Sequence, residues 1–176
     1  KIIKRELKAH YRIIFNLDGY GPDWEPEAAK RGLLNNKNTA DAVPVFFEKK
    51  NRGVFVRNGV YTEQEAVARG EVALENYSKI INIEALTMLD MAKQDIIPAL
   101  SDYVAKLSAN LTTKKSAVSG APSLAETTLI TELATLNDKL FTAVRKLEGD
   151  LANIDKDDVR AASKAMAHTI IPGMED

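Results

Sequence analysis

The fold of this chain is decided by residues 75–93, which read Glu-Asn-Tyr-Ser-Lys-Ile-Ile-Asn-Ile-Glu-Ala-Leu-Thr-Met-Leu-Asp-Met-Ala-Lys. In and beyond this stretch, apolar or small residues recur every three or four positions, at 77, 81, 85, 88, 92, 96, 99, 103 and 107. Such steps average about 3.7 residues, which predicts an amphipathic helix with little left-handed supercoil. We therefore expect a helical protein built around one long rod.

The ends of this rod are also marked in the sequence. Thr62-Glu63-Gln64-Glu65 has the pattern of a capping box and predicts the first turn. Residues 63–108, at a rise of ~1.5 Å each, would span roughly 70 Å. Pro98 lacks a backbone N–H and should kink the rod near Gln94. The Thr, Ser, Gly and Pro content of residues 109–122 predicts a loop.

Two more helices are predicted after this loop. Ser123-Leu124-Ala125-Glu126 resembles a second capping box, and the helix it opens carries apolar residues at 129, 133, 136, 140, 144 and 147 and ends at Gly149. Asp155 is expected to cap a third helix, which stops before Pro172. The predicted fold class is mainly α, an antiparallel three-helix bundle. Because the later helices are shorter, apolar surface on the rod should stay bare and imply a missing domain or subunit.

Residues 1–60 are mixed in character and carry strong turn signals. The expected elements are a helix tail over Ile2–His10, an extended stretch over Tyr11–Phe15, a turn over Asn16–Pro22, a short helix capped by Asp23 and ended by Gly32, a helix capped by Thr39 and limited by Pro44, and a helix over Glu48–Arg57 ended by Asn58-Gly59. This short mixed segment is expected to precede the bundle.

Composition excludes several classes of protein. The 24 basic and 25 acidic residues nearly cancel and form no basic stripe, so we expect no nucleic-acid partner. No apolar run approaches the ~18–20 residues that cross a bilayer, so no membrane partner is expected. The absence of cysteine excludes disulfides, thiolate catalysis and cysteine-held metal, and fits a cytoplasmic location. The chain opens on Lys1 instead of Met, which suggests a piece of something larger.

Candidate catalytic and metal-binding residues are few. Neither His10 nor His168 belongs to a His-x-x-x-His or Glu-x-x-His pair, so both are interpreted as ordinary surface or partly buried side chains. A position near a helix C-terminus already accounts for His168. Glu84, Asp90 and Asp95 do not share one helix face, which favours solvated charges over a metal site.

Two short motifs, one acidic and one containing glycine, are further candidates for a binding loop. Asp155-Lys156-Asp157-Asp158 begins like a calcium loop, but Arg160 and Met166 stand where such a loop needs Gly and Glu. Asp18-Gly19-Tyr20-Gly21 lacks the spacing of a phosphate-binding loop and predicts a turn. We therefore assign no catalytic, cofactor-binding or metal-binding residue in this segment.

Several blocks of the sequence resemble the C-terminal region of type III glutamine synthetases. The most specific is the 75–93 stretch with its continuation Ile97-Pro98-Ala99, and fainter similarity runs over the remainder of the chain. The other blocks are Arg12-Ile13-Ile14-Phe15-Asn16 with Asp18-Gly19-Tyr20, Trp24 with Glu27 to Leu33, Asn38 to Pro44, and Asn58 to Glu63. Leu17 and Gly21 depart from the Gly and Ser expected for the family.

The resemblance implies a parent enzyme that joins ammonia to glutamate through γ-glutamyl phosphate at the expense of ATP, with Mg²⁺ or Mn²⁺. It also implies a double ring of hexamers, so that the partners of this segment are the remainder of the synthetase chain and other subunits. The family's metal-binding, nucleotide-binding and glutamate-binding motifs lie upstream of this segment. The segment alone is therefore expected to be inactive and to serve in packing.

The resemblance divides the chain into residues 1–60, the end of a catalytic domain, and residues 61–176, a helical C-terminal extension. One alternative is a stand-alone helical interaction or scaffold module, which explains the caps and stripes equally well. Another is a carboxylate-bridged metal bundle, which needs paired Glu-x-x-His motifs that the sequence lacks.

Overall fold

The computed structural model describes the backbone of residues 1–176 and every side chain except that of Ile13. The helices are α1 (Ile2–Ala9), α2 (Trp24–Lys30), α3 (Thr39–Ala42), α4 (Lys49–Arg57), α5 (Glu63–Met91), α6 (Ile97–Ala117), α7 (Leu124–Ala152), α8 (Val159–Ala165) and α9 (Ile171–Glu175). Two 3₁₀ turns, Tyr11–Ile13 and Val43–Phe47, and two π-turns, Ala92–Ile96 and Met166–Ile170, complete the helical structure. No strand occurs in this described backbone, which confirms the mainly α fold class.

The rod consists of α5, the first π-turn and α6, residues 63–117, about 80 Å at the usual helical rise. It begins as predicted, because the Thr62 hydroxyl accepts from the Glu65 amide at 3.2 Å and the Glu65 carboxylate accepts from the Thr62 amide at 2.8 Å. The loop predicted from residue 109 was wrong. Thr112 and Thr113 donate their hydroxyls to carbonyls one turn back, so these residues stay in the helix and the loop begins only at residue 118.

The first π-turn shifts the inward face of the rod by one residue. Ile81, Ala85 and Ala92 are buried as predicted, but just beyond the turn the inward residues are Ile97, Leu100 and Val104 instead of the predicted 96, 99 and 103, and the predicted Leu107 is half-buried again. Before the turn, within regular α5, the predicted Met88 is 44 % exposed and the neighbouring Leu89 is buried in its place. A π-turn accommodates one extra residue, so a stripe counted with helical steps loses its phase there.

Both π-turns precede the same tripeptide, Ile-Ile-Pro, at residues 96–98 and 170–172. The amides of Ile97 and Ile171 donate to carbonyls five residues back. Because the proline ring would clash with the carbonyl four residues earlier, a wider turn lets the helix continue through it. The prediction that the third helix stops before Pro172 was therefore wrong, whereas the predicted irregularity near Gln94 is present.

The bundle is antiparallel. Helix α7 runs back along the rod, and three cross-links fix its register: Lys114 to Glu126 at 2.6 Å, Asn137 to Ser101 at 3.1 Å, and Lys93 to Glu148 at 2.6 Å. The third helix, formed by α8, the second π-turn and α9, packs mainly along α5. The core unites all three, through Ile81, Ala85, Leu89, Ala92, Val144, Leu147, Met166 and Ile170.

Three predicted helix ends were wrong. Ser123 precedes α7 without a side-chain cap, because Glu126 pairs with Lys114 instead of closing a capping box. Gly149 lies inside α7, which continues to Ala152. Asp158, and not Asp155, caps α8 by accepting from two backbone amides.

Residues 1–60 wrap one end of the bundle in short helices. The predicted extended stretch begins as a 3₁₀ turn over Tyr11–Ile13, and Ile14 after it is extended. Arg31 holds this stretch to α2 by donating to the carbonyl of Arg12 at 3.1 Å and to that of Ile14. Phe15 packs on Trp24 with ring centroids 4.7 Å apart.

Candidate functional site: the junction and the arm

The histidines and acidic residues considered in the sequence are not brought together. Glu84, Asp90 and Asp95 are all exposed on the rod. His10 lies beside Glu6 of its own helix, with 3.5 Å between the ring Nε2 and a carboxylate oxygen. Within the described side chains, no group of three or more His, Asp or Glu residues is arranged to hold a metal ion.

His168 has a different role from the one that its sequence position suggests. Since the third helix continues to Glu175, His168 is not at a helix C-terminus. Its Nε2 lies 3.0 Å from Oδ1 of Asp41 in α3. This contact joins the last helix of the chain to the first 60 residues, and no local sequence pattern indicates it.

Asp41 is held in place from both sides. The hydrogen bond from His168 is the main cause that lowers the pKa of the Asp41 carboxyl. The hydrogen bond from the side-chain amide of Asn38 is the second cause. Asn38 also accepts from the Asp41 backbone N–H at 2.9 Å and so caps α3. The predicted cap was the next residue, Thr39. The carboxylate is therefore fixed and charged at neutral pH.

A second contact of this region is centred on the ring of Phe47. An ideal Cβ on Gly70 would come within 2.6 Å of that ring, so only glycine lets α5 approach so closely. The guanidinium of Arg160 lies over the ring, 4.1 Å from its centroid. We use the term junction for the contacts Asp41–His168, Phe47–Gly70 and Phe47–Arg160, which bind residues 38–47 to α5 and to the third helix.

Tyr77 lies on α5 near this junction and belongs to the edge of the core. Its hydroxyl oxygen is buried without a hydrogen-bond partner among the described residues. Burial is the main cause that raises the pKa of this hydroxyl, followed by the negative charges of Asp41 and Glu84. Tyr77 is therefore a neutral packing residue and not a proton carrier at physiological pH.

A surface groove of about 330 Å³ lies between α5 and the segment that joins α7 to α8. Lys79 in its wall is already paired with Glu75 at 2.7 Å, and the nearby Lys156 is exposed. Ligand sites usually combine an apolar lining with several convergent polar groups. The groove presents a neutralised pair and one exposed cation, so it offers no convergent set of polar groups.

The far half of the rod has a different environment from the core. We use the term arm for α6 together with residues 124–143 of α7. Helix α6 contains no buried residue, although it packs along α7 over its whole length. Several large apolar side chains of the rod and the arm stay exposed: Ile80, Ile83, Leu86, Met91, Ile96, Tyr103, Leu129, Leu136 and Phe141. The predicted bare apolar surface is therefore present.

Comparison with known proteins agrees with this architecture. The family model for the glutamine synthetase C-terminal domain matches residues 1–115. A glutamine synthetase of Butyrivibrio fibrisolvens is 37 % identical over 156 residues, which are 85 % of this chain and 22 % of the relative. A type-3 glutamine synthetase of Dictyostelium discoideum is 37 % identical over 99 residues, 56 % of this chain and 14 % of the relative.

A glutamine synthetase of Bacteroides fragilis (strain YCH46) is 33 % identical over 111 residues, 63 % of this chain and 15 % of the relative. The chain thus spans about a fifth or less of the curated relatives that it matches. The matched residues 1–115 include α3, which belongs to the junction. They also include α5, the first π-turn and all of α6 except its last two residues. The chain belongs to the glutamine synthetase C-terminal domain family.

Proposed function

We propose that this chain is the C-terminal part of a glutamine synthetase subunit, in which residues 1–60 close the catalytic domain and residues 61–176 form a helical extension. The complete enzyme would join ammonia to glutamate through γ-glutamyl phosphate, using ATP and Mg²⁺ or Mn²⁺. Family membership and the 37 % identity to a protein named glutamine synthetase support this proposal. We place the enzyme in the cytoplasm.

One structural observation favours a missing catalytic body on the side of residues 1–14. Helix α1 contains no buried residue, and its apolar side chains Ile2, Ile3 and Leu7 are 69, 76 and 53 % exposed. They line a shallow apolar surface together with Ile14. Exposed apolar patches of this kind are usually covered by another part of the protein. In our proposal the catalytic domain covers α1.

The segment's own contribution would be packing. The junction fastens residues 38–47 to the bundle through the Asp41–His168 hydrogen bond, a tight glycine contact and a cation–π contact. The junction thereby fixes α3 and the Val43–Phe47 turn to α5 and α8. The bundle would therefore hold neighbouring parts of the assembly in place, while the reacting groups come from elsewhere in the subunit.

The proposal is tested with the natural polypeptide that contains these residues. We expect its mass to be several times 19.4 kDa and its phosphate release to require ATP, glutamate and ammonia together. The 176-residue chain should release no phosphate under the same conditions. A natural polypeptide of about 19 kDa, or one of higher mass without this activity, would contradict the proposal and favour the stand-alone helical module. Activity of the 176-residue chain would contradict the packing role.

A further inference from the structure

Burial in the core stops at the base of the arm. On the rod the last buried residue is Ala92, which opens the first π-turn, and on α7 the buried residues are Val144 and Leu147. Neither α6 nor residues 124–143 of α7 contribute a buried residue. We use the term body for α5, residues 144–152 of α7 and the third helix, which share the core. Apolar burial therefore fixes the body and does not fix the arm to it.

The rod has a weak point at this level, where the helical hydrogen bonds are interrupted. Pro98 has no backbone N–H, so the carbonyl of Gln94 loses the donor that a regular helix supplies. The amide of Ile97 donates to the carbonyl of Ala92, five residues back, in the wider π-turn. Sharp bends in helices occur at prolines and at π-turns. The rod therefore bends more easily between Ala92 and Pro98 than within α5 or α6.

Helix α7 has a weak point beside it. Gly149 follows Glu148, whose carboxylate accepts from Lys93 of the π-turn at 2.6 Å. The weak points of the two helices therefore lie next to one salt bridge. An added Cβ on Gly149 would have no described atom within 4 Å, so packing does not require a glycine there. Glycine in a helix interior is destabilising relative to alanine, because its backbone is freer.

The second π-turn shows that the Ile-Ile-Pro tripeptide alone does not make a helix bend. This turn precedes Pro172 in the same way, but Met166, Ala167 and Ile170 within it are buried. Within the first π-turn only Ala92 is buried. Bending at the second turn would open the core, whereas bending at the first moves residues that are already exposed. Local opening is easier where fewer apolar contacts hold a helix.

We propose that the level of the Lys93–Glu148 salt bridge is a hinge, about which the arm swings as one unit relative to the body. Hinges are short segments at element ends that absorb changes in backbone dihedral angles. Both helices of the arm cross this level, and each has its own weak point there. The hydrogen bond between Ser101 and Asn137 lies beyond the hinge and keeps the two arm helices together while they move. The junction lies in the body and is not disturbed.

The arm is a long lever. Helix α6 has 21 residues and spans about 31 Å, so a swing of about 20° moves its tip by roughly 11 Å. The direction of the arm is therefore set by its surroundings, while the body keeps its own packing. This inference goes beyond the proposed function and does not depend on it, because both sides of the hinge lie within these 176 residues.

Residual dipolar couplings of backbone N–H groups test the hinge in the weakly aligned 176-residue chain. Hinge motions take microseconds to milliseconds, and these couplings average over them. We expect residues 65–90 of the body to fit one alignment tensor. Residues 100–115 and 125–140 of the arm should fit another, of smaller magnitude, because the larger body dominates the alignment. One common tensor for body and arm would overturn the proposal. Couplings that fall steadily toward the tip would also overturn it, since they would mean fraying instead of a hinge.

Two substitutions should stiffen the hinge. G149A adds a methyl group that meets no described atom within 4 Å, and P98A restores the missing backbone donor. Each should reduce the difference between the two alignment magnitudes, and the double variant should remove most of it. The matched control A134G places a glycine at an exposed position of α7 beyond the hinge and should leave the wild-type difference unchanged. A wild-type difference that persists in the double variant, or that A134G enlarges, would refute a hinge at Lys93 and Glu148.

Discussion

Asp41 and His168 are 127 positions apart in the sequence, and their side chains meet at 3.0 Å. The contact holds the last helix of the chain against the segment that precedes the rod. It also gives the carboxyl of Asp41 a pKa below its ordinary value of 3.8, with the His168 bond as the main cause and the Asn38 bond as the second.

The acid stability of the chain should depend on this carboxyl. A lowered folded-state pKa means that the carboxylate adds stability above the unfolded-state pKa and loses it as the pH falls through the folded-state pKa. We therefore expect D41N to be less stable than the wild-type chain above about pH 4, with the difference shrinking below it. Urea unfolding between pH 2.5 and 5.5 measures this. The control D102N, at an exposed position on the arm, should show no such convergence, and parallel curves for wild type and D41N would contradict the prediction.

Gly70 should not tolerate a methyl group. An alanine Cβ would lie 2.6 Å from the Phe47 ring, and we expect G70A to lose about 1–3 kcal/mol of unfolding free energy through overpacking. Gly149 is the matched control, since nothing lies within 4 Å of its added Cβ and G149A should gain about 0.5–1 kcal/mol from helix propensity. Thermal unfolding of both variants tests this pair. Adding F47A should relieve G70A, and additive losses would argue against the contact.

Leu147 is expected to contribute strongly to the stability of the bundle. It is 3 % exposed in the core, so L147A should cost about 2–5 kcal/mol by leaving a cavity. Leu124 begins the same helix with 83 % exposure, and L124A should change stability by less than about 0.5 kcal/mol. Chemical denaturation measures both. Similar losses in the two variants would mean that α7 packs differently from the structure.

Backbone protection should fall along the rod. Residues 74–92 carry Leu74, Ile81, Ala85 and Leu89 in buried positions, whereas α6 has no buried residue. Local opening is easier where fewer apolar contacts hold a helix. Hydrogen exchange followed by mass spectrometry should therefore show faster exchange in 100–115 than in 78–92 at low protein concentration. Uniform protection along the rod would indicate that the arm is covered by another surface.

Local rules predicted the parts of this fold that depend on neighbouring residues. The Thr62–Glu65 capping box and the inward positions 77, 81, 85 and 92 formed as expected. Prediction failed where distant residues intervene. Glu126 pairs with Lys114 instead of closing the predicted capping box. No short-range pattern could pair Asp41 with His168. The family resemblance was confirmed by the family model that matches residues 1–115.

The two π-turns were missed for a definable reason. Counting in steps of three and four assumes a constant helix, and the Ile-Ile-Pro tripeptides at 96–98 and 170–172 were treated only as a kink or an end. Their repetition with the same hydrogen bond, from Ile97 to Ala92 and from Ile171 to Met166, shows that the tripeptide is the available signal. A helix can therefore continue through a proline that stands two positions after a π-turn.

The first π-turn also determines the orientation of α6 relative to α5. Each helical residue turns the chain by about 100°, so removing a single residue between Ala92 and Ile96 would change by that angle the direction in which the side chains of α6 point relative to those of α5. Leu136, Tyr103 and their neighbours would then point in another direction without any change in their own sequence. Single-residue insertion or deletion at this place would therefore turn the exposed side chains of α6 relative to the buried face of α5, without any change in either helix's own sequence.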